Sequence, residues 1–368
     1  MKFSTSRKAF LAAVSQVKRA AASKSPCPIL THILLRTDGA ELLVLQTTDL
    51  EIAMTATMPA EITQEGTFTV PVKTLSEMLT AMSEDTVVAS SDGKTSLILA
   101  CGSAKYTLMG LPSSEYPDIP PTVGEQEFSD HAQTLLDAIK STAPCMSDNK
   151  VRMVLCGCCW TWSGDKLTLV TTDTHRLAVK ALDSHSHLID PPISVIIPGR
   201  SMAELSKLLN VDEVVQITTN NERIAFTVGN VTLMSRLIEG QFPFYDHVIP
   251  PSTRVEIETS RGALLTAVKR AKLIAKTASN AVRFVVDASS ITVKAMEKIG
   301  SETEEIAADA TGDFVDFSLN ADYLIDALSV IDADRVVLRM NIAVNPILIG
   351  DAKGDGSYTH LIMPMQME

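Results

Sequence analysis

No stretch of about 18 consecutive apolar residues occurs in the sequence, so a membrane-spanning helix is not expected. The opening Met1-Lys2-Phe3-Ser4-Thr5-Ser6-Arg7-Lys8 leads into an amphipathic segment, not the apolar core of a secretory leader, and the expected address is the cytoplasm. Aromatic residues make up only 5% of the chain, which leaves little for base stacking on single-stranded nucleic acid. No glycine-rich phosphate cradle and no nucleophile elbow is present. His175 stands two residues from Asp173 and would share a strand face with it, but no nucleophile completes a triad. No catalysis and no cofactor are therefore expected. Cysteines are few and scattered, at 27, 101, 145, 156, 158 and 159. Cys156-Gly157-Cys158-Cys159 has no second pair or nearby His to make a tetrahedral set. It falls in a strand-like run from Val151 to Trp162 and reads as buried, reduced cysteine rather than a metal site.

What the chain does have is internal repetition. Tyr106-Thr107-Leu108-Met109-Gly110-Leu111-Pro112 returns as Tyr358-Thr359-His360-Leu361-Ile362-Met363-Pro364, with Thr232-Leu233-Met234-Ser235-Arg236-Leu237-Ile238 midway between them. Leu43-Val44-Leu45-Gln46-Thr47-Thr48-Asp49 recurs as Leu167-Thr168-Leu169-Val170-Thr171-Thr172-Asp173, and the alternation reappears in Ile291-Thr292-Val293-Lys294-Ala295. Units of about a third of the chain are too long for a solenoid, whose repeats run ~20–50 residues, and large enough for a core each. The expected domains are 1–122, 123–250 and 251–368. Asp49 and Asp173, recurring in register, suggest a repeated structural turn rather than a carboxylate pair.

Each unit opens with an apolar pattern at helical spacing: Phe10, Leu11, Val14 and Val17; Leu135, Leu136 and Ile139; Leu264, Leu265, Val268 and Ala271. Ser6 and Ser260 are suited to cap the first and third of these helices. Alternating strands follow, with turn signals such as Thr37-Asp38-Gly39 and Ser163-Gly164-Asp165. Second helices are expected over 72–83, 199–210 and 321–331, behind Pro71, Pro198 and Asn320. The fold class is α+β with antiparallel sheets. Tyr116-Pro117-Asp118-Ile119-Pro120-Pro121 and Tyr245-Asp246-His247-Val248-Ile249-Pro250-Pro251 read as short, extended, stiff joints.

The formal net charge is −12, yet its distribution is uneven. Residues 5–24 carry Arg7, Lys8, Lys18, Arg19 and Lys24 with no acid, and residues 259–276 carry Arg261, Lys269, Arg270, Lys272 and Lys276 with no acid. The same element kept acid-free in the first and third units of an acidic chain points at an anion. Duplex DNA presents one negative charge per ~1.7 Å of axis. With no base-reading helix and no zinc-finger spacing, contact with duplex would be sequence-independent. Lys18, Arg19, Lys269 and Arg270 on the first helices, and Arg200 on a second helix, are the candidates.

At this point the chain resembles the bacterial DNA polymerase III β subunit family, the sliding clamps, over its whole length. The residues that carry the resemblance are Pro28-Ile29-Leu30, Thr48-Asp49-Leu50-Glu51, Thr172-Asp173-Thr174-His175-Arg176-Leu177-Ala178-Val179, Gly240-Gln241-Phe242-Pro243 and Met363-Pro364-Met365. The resemblance implies three clamp domains in tandem forming half of a closed ring, a head-to-tail homodimer with helices lining the hole. It implies a processivity factor around duplex DNA, opened by a separate clamp loader ATPase. It also implies a hydrophobic cleft between the second and third domains for peptides of the DNA polymerase III α subunit, other polymerases and repair proteins.

Matching positions for the cleft are Leu155, Thr172, Thr174, His175, Arg176 and Leu177 in the second unit. Pro243, His247 and Val248 match at the joint, and Leu361, Ile362, Met363, Pro364, Met365 and Gln366 at the end. Leu361 to Met365 has a last core strand as its alternative reading; as a cleft wall, which the resemblance favours, its methionines suit a surface that accepts several partners. The interface positions are Tyr106, Leu108, Leu273 and Ile274, whose pattern alone fits an ordinary core as well. Lys24 and Asn149 match the family's loop contacts to DNA. Thr174 stands where the family often has Gly, and Gln366 where it often has a basic residue, so peptide preference is left open. A scaffold with the cleft but no DNA role, and a groove-type duplex binder that does not close, remain alternatives.

Overall fold

The computed structural model describes residues 1–119, 126–184, 189–276, 279–313, 316–354 and 356–366. Each third of the chain carries two α-helices: α1 (Arg7–Val17) and α2 (Val72–Ala81), α3 (Ala132–Thr142) and α4 (Gly199–Leu208), α5 (Arg261–Ala275) and α6 (Ala321–Val330). The second helices start where the two prolines and Asn320 predict. The Asn320 side chain accepts from the backbone N–H groups of Asp322 and Tyr323, and Ser260 Oγ accepts from Ala263. Ser6 makes no such bond. Another anchor recurs in all three thirds: the first amide of each opening helix donates to a carbonyl just past the second helix, Arg7 to Asp85, Ala132 to Glu213 and Arg261 to Asp334.

The chain forms two compact units, one of Met1–Gln133 with Ala203–Leu237, the other of Thr134–Met202 with Ile238–Glu368. The first holds a five-stranded and an eight-stranded antiparallel sheet; the second holds a twelve-stranded sheet. In each unit a large sheet contains strands from two successive thirds, joined at one seam. Ile52–Pro59 pairs with Val231–Arg236, Ile52 opposite Ser235. In the second unit Arg176–Asp183 pairs with Tyr358–Ile362, Arg176 opposite Ile362. The last strand of one third thus completes the sheet of the third before it.

Just before each seam strand lies the same hydrogen-bonded turn. Asp49 Oδ1 accepts from Glu51 and Ile52, and Thr48 Oγ1 bridges Leu50 N and Ile52 O. Asp173 Oδ1 accepts from His175 and Arg176, with Thr172 Oγ1 bridging Thr174 N and Arg176 O. Short Asx side chains satisfy the turn backbone locally. The repeated aspartates are therefore structural, and His175 sits in this turn with Asp173 rather than beside it on a strand.

Three further expectations need correction. Val151 to Cys156 is 3₁₀ backbone (Lys150–Cys156), with the strand beginning only at Gly157. Asn149 starts the first turn by accepting from Val151 N, and a non-helical Arg152 (φ −114°, ψ 72°) separates it from the second. Cys158 and Cys159 are buried as expected, whereas Cys156 is only half-buried. The joint after Tyr245 is not extended throughout but makes a 3₁₀ turn over Asp246–Val248. In the other joint, Pro120 and Pro121 lie outside the described residues.

Candidate functional site

Beside the seam of the second unit lies a cavity of about 580 Å³, within the ~300–1,000 Å³ usual for ligand sites. Its floor is Leu155, Leu177 and Leu361, all buried. Thr172, Thr174 and Arg176 from the turn, Pro243 and Val248 from the joint, and Met363 from the tail form its walls. Alternation sets this up: Leu177 and Leu361 are register partners on adjacent strands, so they share a face. Met363 is held beyond the strand by donating its amide to His175 O at 2.8 Å. Gly240 has φ +128° and would place a Cβ 2.8 Å from Val154, so only glycine lets the joint approach the 3₁₀ segment this closely.

Six expected cleft residues lie off the cavity wall. His175 and His247 are exposed, and Ile362 belongs to the core below. Pro364, Met365 and Gln366 continue past it, Met365 donating its amide to Ser318 O. Wall residues not anticipated are Val151, Arg152, Met153, Val154, Phe244 and Tyr245. Reading 151–156 as a strand hid the first four; the Asn149 cap was the signal.

Arg176 organises the polar side. Its Nε donates to Asp173 at 2.9 Å, a terminal nitrogen donates to Asp326 at 2.6 Å, and the guanidinium carbon lies 4.4 Å from the Tyr323 ring centre. Burial opposes this charge, but the bonds to Asp326 and Asp173 outweigh it and raise the pKa. Behind Arg176 lies a buried chain: Cys145 Sγ is 3.6 Å from His360 Nε2, His360 Nδ1 is 2.9 Å from Tyr358 Oη, and Tyr358 donates to Ser141 O at 3.2 Å. Every donor here is satisfied only if His360 is neutral, accepting at Nε2 and donating from Nδ1. Burial, with Arg176 nearby, lowers its pKa from 6.5 to about 3. A depressed His leaves stability intact above pH 6.5 and removes it as pH falls toward 3, because only the unfolded chain takes up the proton. His360→Gln is expected to flatten the stability–pH curve between pH 6 and 4 by up to ~1.4 kcal/mol per pH unit, read by denaturant titration. An unchanged slope would contradict this assignment.

Thr174 holds φ +81°, a region that a β-branched residue rarely adopts. The turn imposes it, since Leu50 at the matching place has φ +80°. Such strain costs ~1–3 kcal/mol, more than the ~0.5–1 kcal/mol that glycine loses in chain entropy. Thr174→Gly is expected to raise the melting temperature by a few degrees while enlarging the cavity. A lower melting temperature would show that the threonine is not strained.

The seam of the first unit carries a smaller hollow of about 80 Å³, lined partly by Leu50, Ile119, Arg223 and Arg236. By strand register Arg236 occupies the place of Met363, and Leu50 that of Thr174. A long cation and a larger side chain stand there, and the hollow is far smaller than the cavity of the second unit.

Among the expected DNA contacts, Lys24, Asn149, Arg200 and Lys269 are exposed. Lys18 reaches Ser76 Oγ at 3.3 Å, Arg19 lies 3.5 Å from Glu204, and Arg270 pairs with Glu304 at 2.9 Å. Arg7 and Arg261 each donate to a carbonyl near the end of the second helix of their third, Leu79 and Leu328, where a cation complements the helix dipole. Of the interface positions, Tyr106 is half-exposed, Leu108 buried, Leu273 exposed and Ile274 packed on the core. No helix among the described residues is long and apolar enough to cross a membrane.

Known proteins share this architecture. The beta sliding clamp of Staphylococcus aureus is 28% identical over 382 residues, covering 100% of this chain and 99% of its own. That of Synechococcus elongatus is 26% identical over 362 residues, covering 96% of each. The crystal structure of the Bacillus subtilis DNA polymerase sliding clamp superposes with a TM-score of 0.96 at 27% identity, covering 100% of both chains. The family descriptions for the N-terminal, central and C-terminal domains of the DNA polymerase III beta subunit match residues 1–120, 131–244 and 246–366 in turn. With three clamp domains in tandem, the chain belongs to the DNA polymerase III beta subunit family, the sliding clamps.

Proposed function

We propose that two copies of this chain close head to tail into a ring around duplex DNA and act, without catalysis of their own, as a processivity factor in the cytoplasm. The observation that carries the reading is the pattern of seams. The last strand of the second third and that of the last third each complete the sheet of the third before. The last strand of the first third, Ala104–Met109, ends its sheet, and among the described residues its outer edge is open. The matching acceptor in the last third is the strand Gly300–Thr311. Its Gly300–Ala307 part pairs with Ser290–Glu297 on one side and, among the described residues, with nothing on the other. That edge carries Glu302, Glu304 and Glu305, and the strand Ala104–Met109 carries Lys105. A donor edge at one end of the chain and a matching acceptor edge at the other, with a rotation that closes, make a ring rather than a filament.

In this reading the domains divide near 122 and 250. Lys18, Lys24, Arg19, Asn149, Arg200, Lys269 and Arg270 serve phosphate contact, and the seam cavity takes peptides of the replicative α subunit, the clamp loader ATPase, and other polymerases and repair proteins. Light scattering is expected to give a particle near twice 39.7 kDa. Protein placed on nicked circles by the loader is expected to stay through gel filtration and to be lost once the circle is cut. Equal retention on both would overturn the ring.

A further inference from the structure

The cavity does not end at its leucine floor. Val151 (89% exposed), Met153 (54%) and Phe244 (75%) stand on its rim. Val248 and Met363 on the same wall are also exposed, so one continuous apolar surface runs from the floor out into solvent. Contiguous apolar surface of this kind marks a contact site, whereas single exposed hydrophobic residues are ordinary. The backbone shapes the rim: Asn149 caps the turn that carries Val151, a break at Arg152 (φ −114°, ψ 72°) separates it from the turn that carries Met153, and Pro243 precedes Phe244. Lys150 and Arg152, both exposed, flank it.

We infer that this rim is a ledge for a second anchor: the peptides that fit this chain carry, besides the apolar residues that fill the cavity, one further bulky apolar residue beside an acidic one. The inference rests on the peptide-cleft reading and deepens it. Continuity with the cavity argues for the same bound segment rather than a separate partner, and the two flanking cations favour the acid. An extended peptide advances ~3.3 Å per residue, so an extension of a few residues reaches from cavity to rim. An aromatic anchor suits the ledge because it buries a large rigid area at low entropic cost.

The test uses the full-length protein and fluorescein-labelled synthetic peptides read by anisotropy. An anchor peptide carries an apolar Leu-Phe pair. One extension adds Glu-Trp and a control adds Glu-Ser, each tried at either end. On the native chain the Trp extension at one end is expected to bind about tenfold tighter than its Ser control. On Met153→Ser/Phe244→Ser the ratio is expected to fall to about one. A native ratio near one, or a ratio that persists in the variant, overturns the ledge while leaving the cleft intact. Failure of the anchor peptide itself to bind overturns the cleft reading and the ledge with it.

Discussion

Leu273→Asp is expected to convert the dimer into a monomer of 39.7 kDa at micromolar concentration, weakening self-association by at least about 100-fold. The argument is one of exposure. Leu273 is 62% exposed on α5, so nothing in the isolated chain depends on its side chain. The hairpin that leads into the open sheet edge also carries uncovered apolar residues: Met296 is 84% exposed and Ile299 is 70% exposed. If that edge takes the Ala104–Met109 strand of a second copy, a carboxylate at 273 is buried without a partner, beside an edge already carrying Glu302 and Glu304. Desolvation and like charge then act together. Ile274 is the wrong place for this experiment because it packs on the core and its loss would unfold the end of α5. Sedimentation velocity and circular dichroism together give the result: a folded monomer supports the ring, and a folded dimer removes its interface. Retention on circular DNA is expected to vanish with the dimer.

Much of this architecture was legible because the chain states it three times. Helix positions followed from apolar spacing and from Pro71, Pro198 and Asn320, and the repeated Thr-Asp pair marked a turn that the hydrogen bonds now explain. Two things were not legible. One was pairing across successive thirds, since alternation shows which residues face inward but not which strand lies beside which. The other was local backbone: the Asn149 cap on Val151 and the break at Arg152 keep residues 151–156 out of the strand that their apolar content suggested. Charge carried a second meaning that the sequence did not separate. Arg7 and Arg261 share a register, and in the structure both bond to carbonyls at the ends of second helices.

Met363→Asp is expected to weaken binding of partner peptides by about 100-fold and to leave the dimer unchanged. Met363 lines the cavity and is 38% exposed, so the free chain tolerates a charge there. A bound peptide would strip water from that carboxylate without supplying a donor, at a cost of several kcal/mol, of which ~2.7 kcal/mol already gives the 100-fold. Met365→Asp is the matched control. Its amide is tied to Ser318 O and its side chain is not on the cavity wall, so an effect within about threefold is expected. Loss confined to Met363 locates recruitment at the seam of the second unit. Equal loss from both would mean that the tail acts as a strand whose order matters, not as a wall. The first unit supplies an internal comparison, because Arg236 already puts a permanent charge at the matching place and its hollow holds only about 80 Å³. The chain itself therefore carries both versions of the site, an apolar residue over a cavity and a cation over a closed seam. Met363→Asp moves the open one toward the closed.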